Sequence, residues 1–220
     1  MHLHDCLREL ATALNLDADH LVIYATEDNI GGRDTLQGRY ALPGAVTDFS
    51  GMSVFAAEGK ILYALVRALK PDTVVEIGVD AGCSSYHILA AMETNQRGHL
   101  HSVDIATEGI GREVPERLRH RWTLQTGVDG LTASLPGNAD ICFEDANHLY
   151  QPTVDTLTRL KSLNPRLMLS HDAVTHLTYG EGGFQVLPAF RDVLGTDRYV
   201  LPDGSIAGLA YWVNEDYQNE

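Results

Sequence analysis

Two short segments of the chain each place a carboxylate and a histidine directly after an apolar run. Asp145 and His148 follow the first run, and His171 and Asp172 follow the second. If the two runs form neighbouring parallel strands, their carboxyl ends meet at one edge of a sheet and bring the four groups together. Each residue alone is more typical of a cap, an ion pair or a structural histidine, but the four together predict a divalent-cation site. Carboxylates favour Mg²⁺, whereas direct coordination by either histidine would favour manganese or iron.

A second candidate functional segment is 74–85, with the sequence VVEIGVDAGCSS. Its β-branched run predicts a strand, and Gly78 and Gly82 predict a tight turn into a helix. Glycine has no Cβ, so a ligand could approach the backbone closely at both positions. The spacing differs from the G-x-G-x-x-G pattern of dinucleotide sites.

The polar residues around these glycines narrow the choice of ligand. Glu76 at the strand end suits a cationic amino-acid group better than a pyrophosphate, whereas Ser84 and Ser85 could cap the following helix near the ligand. This combination points to S-adenosylmethionine (SAM). The alternative is an ordinary strand-turn-helix that binds no ligand.

Further candidate donor contacts follow the next two predicted strands. Asp104 is placed to accept hydrogen bonds from two ribose hydroxyls, and Ile105 directly after it is also a candidate contact. Asp129 could accept from the adenine amino group, or it could cap the helix predicted after it.

The elements that must position these residues can be predicted from periodicity and turn signals. Leucines at 3, 7, 10 and 14 predict a first helix, and 26–51 is predicted as a loop or lid. Later strands and helices alternate, which predicts a mostly parallel sheet with helices on both faces. The predicted helices are 53–69, 84–95, 113–120, 128–134, 152–162 and 185–194, and the strands are one from 73 and those at 99–104, 122–126, 139–144 and 166–170. An antiparallel hairpin, 198–201 with 206–213, should close the sheet.

Composition limits both the architecture and the partners. A chain of 220 residues fits one α/β domain over 1–220, in which 1–50 supplies a helix and the lid. The net charge of −14 disfavours nucleic acid and anionic membranes as partners. Three cysteines without a repeated spacing, and no signal or membrane-spanning segment, predict free thiols and a cytoplasmic protein. The first helix offers a possible homodimer surface.

Over roughly 50–215 the sequence resembles the class I SAM-dependent methyltransferases, which have a Rossmann-like fold. Within them it is similar to metal-dependent small-molecule O-methyltransferases, the group of macrolide-sugar and aminocoumarin-sugar enzymes and cephalosporin hydroxylase-like proteins. The resemblance rests on the glycine motif at 76–82, the acid at 104, the segment FEDANHLY at 143–150 and the pair at 171–172. It implies metal ligands Asp145 and Asp172, a base at His148, and donor contacts at Glu76, Gly78, Gly82, Ser84 and Asp104.

The sequence departs from that group at three positions. Asp80, itself a candidate donor contact, replaces the frequent middle glycine, Asn147 replaces the second acid of an Asp-Gly-Asp-His pattern, and Ala173 follows the second metal aspartate. The third metal ligand could therefore be His171 or water.

The implied reaction is transfer of a methyl group from SAM to a hydroxyl of a sugar-like or natural-product acceptor. A metal held by two aspartates would lower the pKa of the hydroxyl, and a neutral His148 or His171 would remove its proton near pH 7. The acceptor pocket is expected to include the lid, Tyr150 and the loop 175–184. Two alternatives stay open, namely a metal-dependent hydroxylase or oxidase on the same fold and a non-catalytic partner protein.

Overall fold

The computed structural model describes residues 1–27, 56–175 and 184–219. Its six α-helices in these ranges are α1 Leu3–Leu14, α2 Ala18–Glu27, α3 Ala56–Leu69, α4 Cys83–Asn95, α5 Tyr150–Lys161 and α6 Val186–Leu194. Its strands there are β1 Thr73–Ile77, β2 His99–Asp104, β3 Trp122–Thr126, β4 Ile141–Glu144, β5 Leu167–Ser170, β6 Tyr199–Val200 and β7 Leu209–Val213. Two 3₁₀ helices, Glu116–Arg121 and Glu215–Asn219, complete these elements.

The seven strands form one sheet in the order β3-β2-β1-β4-β5-β7-β6. The first five are parallel, and β7 pairs antiparallel with both β5 and β6. The chain therefore winds in opposite directions from the β1–β4 boundary, which is the place where ligands bind in open α/β sheets. The predicted α/β class, the mostly parallel seven-stranded sheet and the C-terminal antiparallel hairpin are confirmed.

Apolar side chains on the two faces of the sheet form two cores. One face packs against α1 to α4, and the other packs against α5 and α6. The leucine stripe of α1 is buried in the first core, as Leu7 and Leu10 illustrate. A homodimer contact through α1 would therefore have to use its polar face. The three cysteines are buried and free, as predicted.

Several predicted helices differ from the observed structure. The predicted helix 128–134 is a turn, because Asp129 accepts the backbone amides of Leu131, Thr132 and Ala133 through its side chain and carbonyl. The predicted helix 113–120 is the 3₁₀ helix Glu116–Arg121, and α2 was not predicted. Most of the predicted lid lies outside the described residues. Within those residues, no helix is both long and apolar enough to cross a membrane.

Candidate active site

A cavity of about 320 Å³ opens at the carboxyl ends of β1, β2 and β4, at the point where the winding direction of the sheet reverses. This volume lies within the range of about 300–1,000 Å³ that is usual for small-molecule sites. Six of the predicted site residues line it: Gly78, Asp80, Asp104, Ile105, Asp129 and Asp145. The fold thus gathers most of the predicted donor contacts around one cavity.

The two glycines of the turn are required by chain packing. Gly78 has φ +91°, and a Cβ there would lie 2.1 Å from the carbonyl oxygen of Asp145. Gly82 has φ +93°, and its Cβ would lie 2.9 Å from Val114 Cγ2. Gly78 also lines the cavity, whereas Gly82 packs against the segment after β2. The sequence explains both glycines by the close approach of a ligand. At Gly82 it is instead another part of the chain that approaches closely and leaves no room for a Cβ.

Asp104 holds the turn in place with its carboxylate. Its Oδ2 accepts the backbone amides of Val79 at 2.8 Å and Asp80 at 3.0 Å, and its Oδ1 accepts that of Ala106 at 2.8 Å. A carboxylate offers about four lone-pair sites, so about one remains on Oδ1. With these three amides bound, the carboxylate can accept one ribose hydroxyl. A second hydroxyl would have to share a lone pair with one of the amides or displace that amide.

Two exposed aliphatic side chains stand in the cavity lining. Ile105 is 71% exposed and Leu131 is 42% exposed, although both are large and apolar. A flat heterocycle such as adenine would remove this surface from water. Leu131 was not predicted; it follows Asp129, whose Oδ1 accepts the Leu131 amide at 2.8 Å and so acts as a turn cap.

Glu76 lies in a buried hydroxyl network and is absent from the described lining of the cavity. Its carboxylate accepts hydroxyl hydrogens from Ser84 and Ser85, both at 2.6 Å, and from Ser102 at 2.5 Å. Burial raises the pKa of Glu76 to about 7 despite these hydrogen bonds. Gly82 is the N-cap of α4 and there is no side-chain cap, so the expected capping by Ser84 and Ser85 is wrong. Their hydroxyls are directed instead to Glu76.

A cluster of metal-ligating groups adjoins the cavity. Asp145, His148 and Asp172 each offer a ligand atom, and these atoms lie within 4.8 Å of one another. His148 Nε2 is 3.4 Å from Asp145 Oδ1 and 3.0 Å from Asp172 Oδ2. The predicted meeting of the ends of β4 and β5 is thus observed, and His148, predicted as a base, lies among the candidate ligands.

The donor set of this cluster fits a divalent cation. Asp145 Oδ2 is buried and accepts no hydrogen bond from the described residues. A buried carboxylate oxygen without a donor is costly unless a cation or another partner compensates it. Asp172 has φ +56°, and this rarely populated conformation follows β5, where the chain turns the carboxylate into the cluster.

The carboxylates and histidines of the cluster shift one another's pKa values. Burial alone would lower the pKa of His148, but hydrogen bonds to Asp145 and Asp172 outweigh it and raise the pKa to about 9. Burial likewise opposes ionisation of Asp172, yet its hydrogen bonds with His148 and His171 hold its pKa well below the usual range. This raised pKa favours the imidazolium form of His148 near pH 7, whereas the base predicted from the sequence is a neutral ring.

His171 is buried and joins this cluster to α3. Its Nδ1 lies 3.4 Å from both Asp145 Oδ1 and Asp172 Oδ2, and its Nε2 lies 3.0 Å from Glu58 Oε2. Glu58 is fully buried and was not predicted, because it belongs to a helix 113 residues earlier in the chain. An acid at an otherwise apolar helical position was the only sequence signal for it.

The acceptor side of the site is described in part. Phe184 packs against the His148 ring with a centroid distance of 4.4 Å. The Tyr150 hydroxyl donates to Asp192 at 2.6 Å, so it is directed to α6. The remainder of the loop predicted to line the acceptor pocket, 176–183, lies outside the described residues.

Comparison with known proteins gives a family match and several similar folds. Residues 75–173 match a family described as "Methyltransferase domain". No curated protein matches the chain significantly.

Three solved structures illustrate the similarity of fold. An O-methyltransferase from Bacillus cereus in complex with SAH has 16% identity and a TM-score of 0.62, over 89% of this chain and 99% of that one. The SAH-bound methyltransferase PaMTH1 from Podospora anserina has 18% identity and a TM-score of 0.55, over 89% and 88%. The O-methyltransferase TomG from Streptomyces achromogenes, involved in tomaymycin synthesis and bound to SAM, has 18% identity and a TM-score of 0.53, over 88% of each chain.

Proposed function

We propose that the chain transfers the methyl group of SAM to a hydroxyl of a small molecule with the help of a divalent metal. Residues 75–173 match a methyltransferase-domain family, and the fold is similar to that of the Bacillus cereus O-methyltransferase. One observation carries this proposal. Asp145 lines the cavity at the β1–β4 boundary and is also a member of the metal-ligating cluster. A donor in the cavity and an acceptor at the cluster would therefore be neighbours.

The cavity supports SAM as the donor. Asp104 retains acceptor capacity for a ribose hydroxyl, and Ile105 and Leu131 supply apolar surface for the adenine. Asp80, Asp129 and Asp145 add negative charge to the lining, which suits the cationic sulfonium and amino groups of SAM. The structures of PaMTH1 and TomG, which contain SAH and SAM, have similar folds.

The residues of the site contribute mainly by positioning. A divalent cation held by Asp145 and Asp172 would lower the pKa of an acceptor hydroxyl and orient it. His148 presents Nε2 to both aspartates and is the group that would exchange a proton with that hydroxyl. Gly78 lies so close to the backbone of Asp145 that a Cβ would not fit, and this close packing places the donor cavity beside the cluster.

The acceptor class rests on charge and resemblance. The net charge of −14 disfavours a nucleic-acid acceptor, and the similar fold of TomG belongs to a protein of tomaymycin synthesis. A sugar-like or natural-product hydroxyl is therefore the acceptor that we propose. A cytoplasmic location and a homodimer remain predictions.

Calorimetric titration of the protein with SAM, with and without Mg²⁺ and after chelation, tests the donor half of the proposal. Micromolar binding that survives chelation is expected, because the cavity contacts do not need the metal. Release of S-adenosylhomocysteine with catechol or a sugar diol, dependent on added metal, tests the transfer. Absence of SAM binding in every metal state would overturn the proposal.

A second function is favoured by one observation, the presence of two histidines beside two carboxylates. Histidine and carboxylate ligands with open positions also suit the iron of oxygenases. Oxygen consumption with Fe²⁺ and an acceptor, without release of S-adenosylhomocysteine, would favour the hypothesis of a metal-dependent hydroxylase or oxidase over that of a methyltransferase.

A further inference from the structure

Glu58 is a fully buried carboxylate outside the donor cavity. Its Oε1 accepts the Ser205 hydroxyl at 2.5 Å and the Gly208 amide at 2.9 Å, and its Oε2 is 3.0 Å from His171 Nε2. It therefore connects α3, the loop before β7 and the metal-ligating cluster. A buried carboxylate is costly unless each oxygen has a partner, and these three contacts provide partners for both oxygens.

The contact with His171 determines the role of each ring nitrogen. An ionised carboxylate only accepts hydrogen bonds, so beside an ionised Glu58 the hydrogen of this contact lies on His171 Nε2. In a neutral ring the lone pair then lies on Nδ1, which is 3.4 Å from Asp145 Oδ1 and 3.4 Å from Asp172 Oδ2. A lone pair facing two carboxylate oxygens is stabilised by a cation between them.

We propose that Glu58 is a positioning residue that presents His171 Nδ1 as a nitrogen ligand, so that the site prefers a first-row transition cation to Mg²⁺. The proposal rests on the cation site of the proposed function and specifies its metal. Imidazole nitrogen binds late first-row cations better than it binds Mg²⁺, whose preferred ligands are oxygens. Metal-bound histidines commonly donate their other ring N–H to a carboxylate, which fixes the ring and its tautomer.

The variant Glu58→Gln tests whether Glu58 Oε2, the oxygen that faces His171, keeps the ring hydrogen on Nε2. Gly208 N–H can only donate, so the glutamine oxygen must remain beside it and the amide NH₂ must face His171. That NH₂ would donate to Nε2, move the ring hydrogen to Nδ1 and block the metal-binding nitrogen. Ser205→Ala is the matched control, because it removes the hydroxyl that donates to Glu58 and accepts the amides of Ala207 and Gly208, and it leaves the pair Glu58 and His171 unsubstituted.

The experiment is titration of the full chain with Co²⁺ and with Mg²⁺, followed by calorimetry and by the visible absorption of Co²⁺. The unsubstituted protein should bind Co²⁺ at least about tenfold more tightly than Mg²⁺, and Glu58→Gln should lower Co²⁺ affinity by about 10–100-fold. Ser205→Ala should retain the Co²⁺ affinity and spectrum. SAM affinity should be unchanged in both variants.

Equal affinities for Co²⁺ and Mg²⁺, or equal effects of the two variants, would overturn the inference. If Glu58→Gln does not fold, ¹⁵N NMR of the Zn²⁺-bound unsubstituted protein decides, since a hydrogen on Nδ1 of His171 would contradict it. SAM binding without cation binding would refute this inference and leave donor binding intact. Cation binding that depends on Glu58, without SAM binding, would support it and remove the proposed methyl transfer.

Discussion

Replacing Glu76 with glutamine tests whether this acid stabilises the fold or binds the donor. Burial raises its pKa from 4.5 to about 7, so the folded state favours the protonated form. The stability that this shift contributes is fully present below the pKa of Glu76 in the unfolded chain and is lost as the pH rises through its pKa in the folded protein. With 1.36 kcal/mol for each pKa unit, the full loss is about 3 kcal/mol, of which about 2 kcal/mol falls between about pH 5.5 and about pH 8.

Glu76→Gln removes this titration while retaining the shape of the side chain. The unsubstituted protein should lose this stability as the pH rises, and the variant should not. The free energy of unfolding of the variant minus that of the unsubstituted protein should therefore increase by about 2 kcal/mol from about pH 5.5 to about pH 8. Urea unfolding followed by tryptophan fluorescence is a suitable assay, because the indole Nε1 of Trp122, one of the two tryptophans, donates to Ser102 at 2.8 Å and Ser102 donates to Glu76. Glu144, whose pKa burial also raises to about 7, is present in both proteins, so its contribution largely cancels.

The control is Glu116→Gln, which changes an acid whose side chain is 95% exposed and should leave the pH dependence unaltered. SAM affinity at about pH 8 should fall less than tenfold in Glu76→Gln, a change below about 1.4 kcal/mol. A stability difference that does not change with pH would refute the burial argument. A larger loss of SAM affinity would show that Glu76 contacts the donor, as the sequence first suggested.

Three further substitutions test the cavity and the cluster. Asp104→Asn should destabilise the fold by about 1–3 kcal/mol and weaken SAM binding, because its NH₂ would face a backbone N–H; unchanged urea unfolding would contradict this. Ile105→Ala should change the unfolding free energy by less than about 0.5 kcal/mol, since the side chain is 71% exposed, while SAM affinity by calorimetry falls about tenfold. An unaltered affinity would remove Ile105 from the donor site. Asp145→Asn should reduce Co²⁺ affinity at least about tenfold, and it should weaken SAM binding less, because Asp80 and Asp129 keep their charge in the cavity lining; undiminished Co²⁺ binding would exclude Asp145 as a ligand.

The elements that local patterns define were predicted well. Short apolar runs that alternate along the chain with helical segments predicted the five parallel strands, β1 to β5. The leucine spacing predicted α1. The failures are also local in origin. Asp129 looked like the cap of a helix, but it accepts amides two to four residues ahead and closes a turn, and Pro136 and Gly137 follow before a helix could extend.

The site was predicted where it depends on strand ends and missed where it depends on packing. Asp145 and Asp172 meet because parallel strands bring their carboxyl ends to one edge, a rule that the sequence alone allows one to apply. The groups that the Glu76 carboxylate contacts could not be predicted in the same way. Its hydrogen-bond partners are serines on α4 and on β2, and their arrangement follows from how the helix packs on the sheet.

The sequence by itself determined the strands and the glycine turn, because these follow from local patterns of residues. It also determined the edge of the sheet at which the acids and histidines meet, because parallel strands have their carboxyl ends at the same edge. Only the tertiary structure decided that Asp104 holds the turn, that Glu76 is buried beneath it and that Glu58 supports His171. The contacts of Asp104 with Asp80 and of Glu58 with His171 join residues 24 and 113 positions apart, and Glu76 also accepts from Ser102, which lies 26 positions away. Each carboxylate accepts hydrogen bonds from the donors that the packed helices and strands bring within reach, and the spacing of residues along the chain does not specify which donors those are.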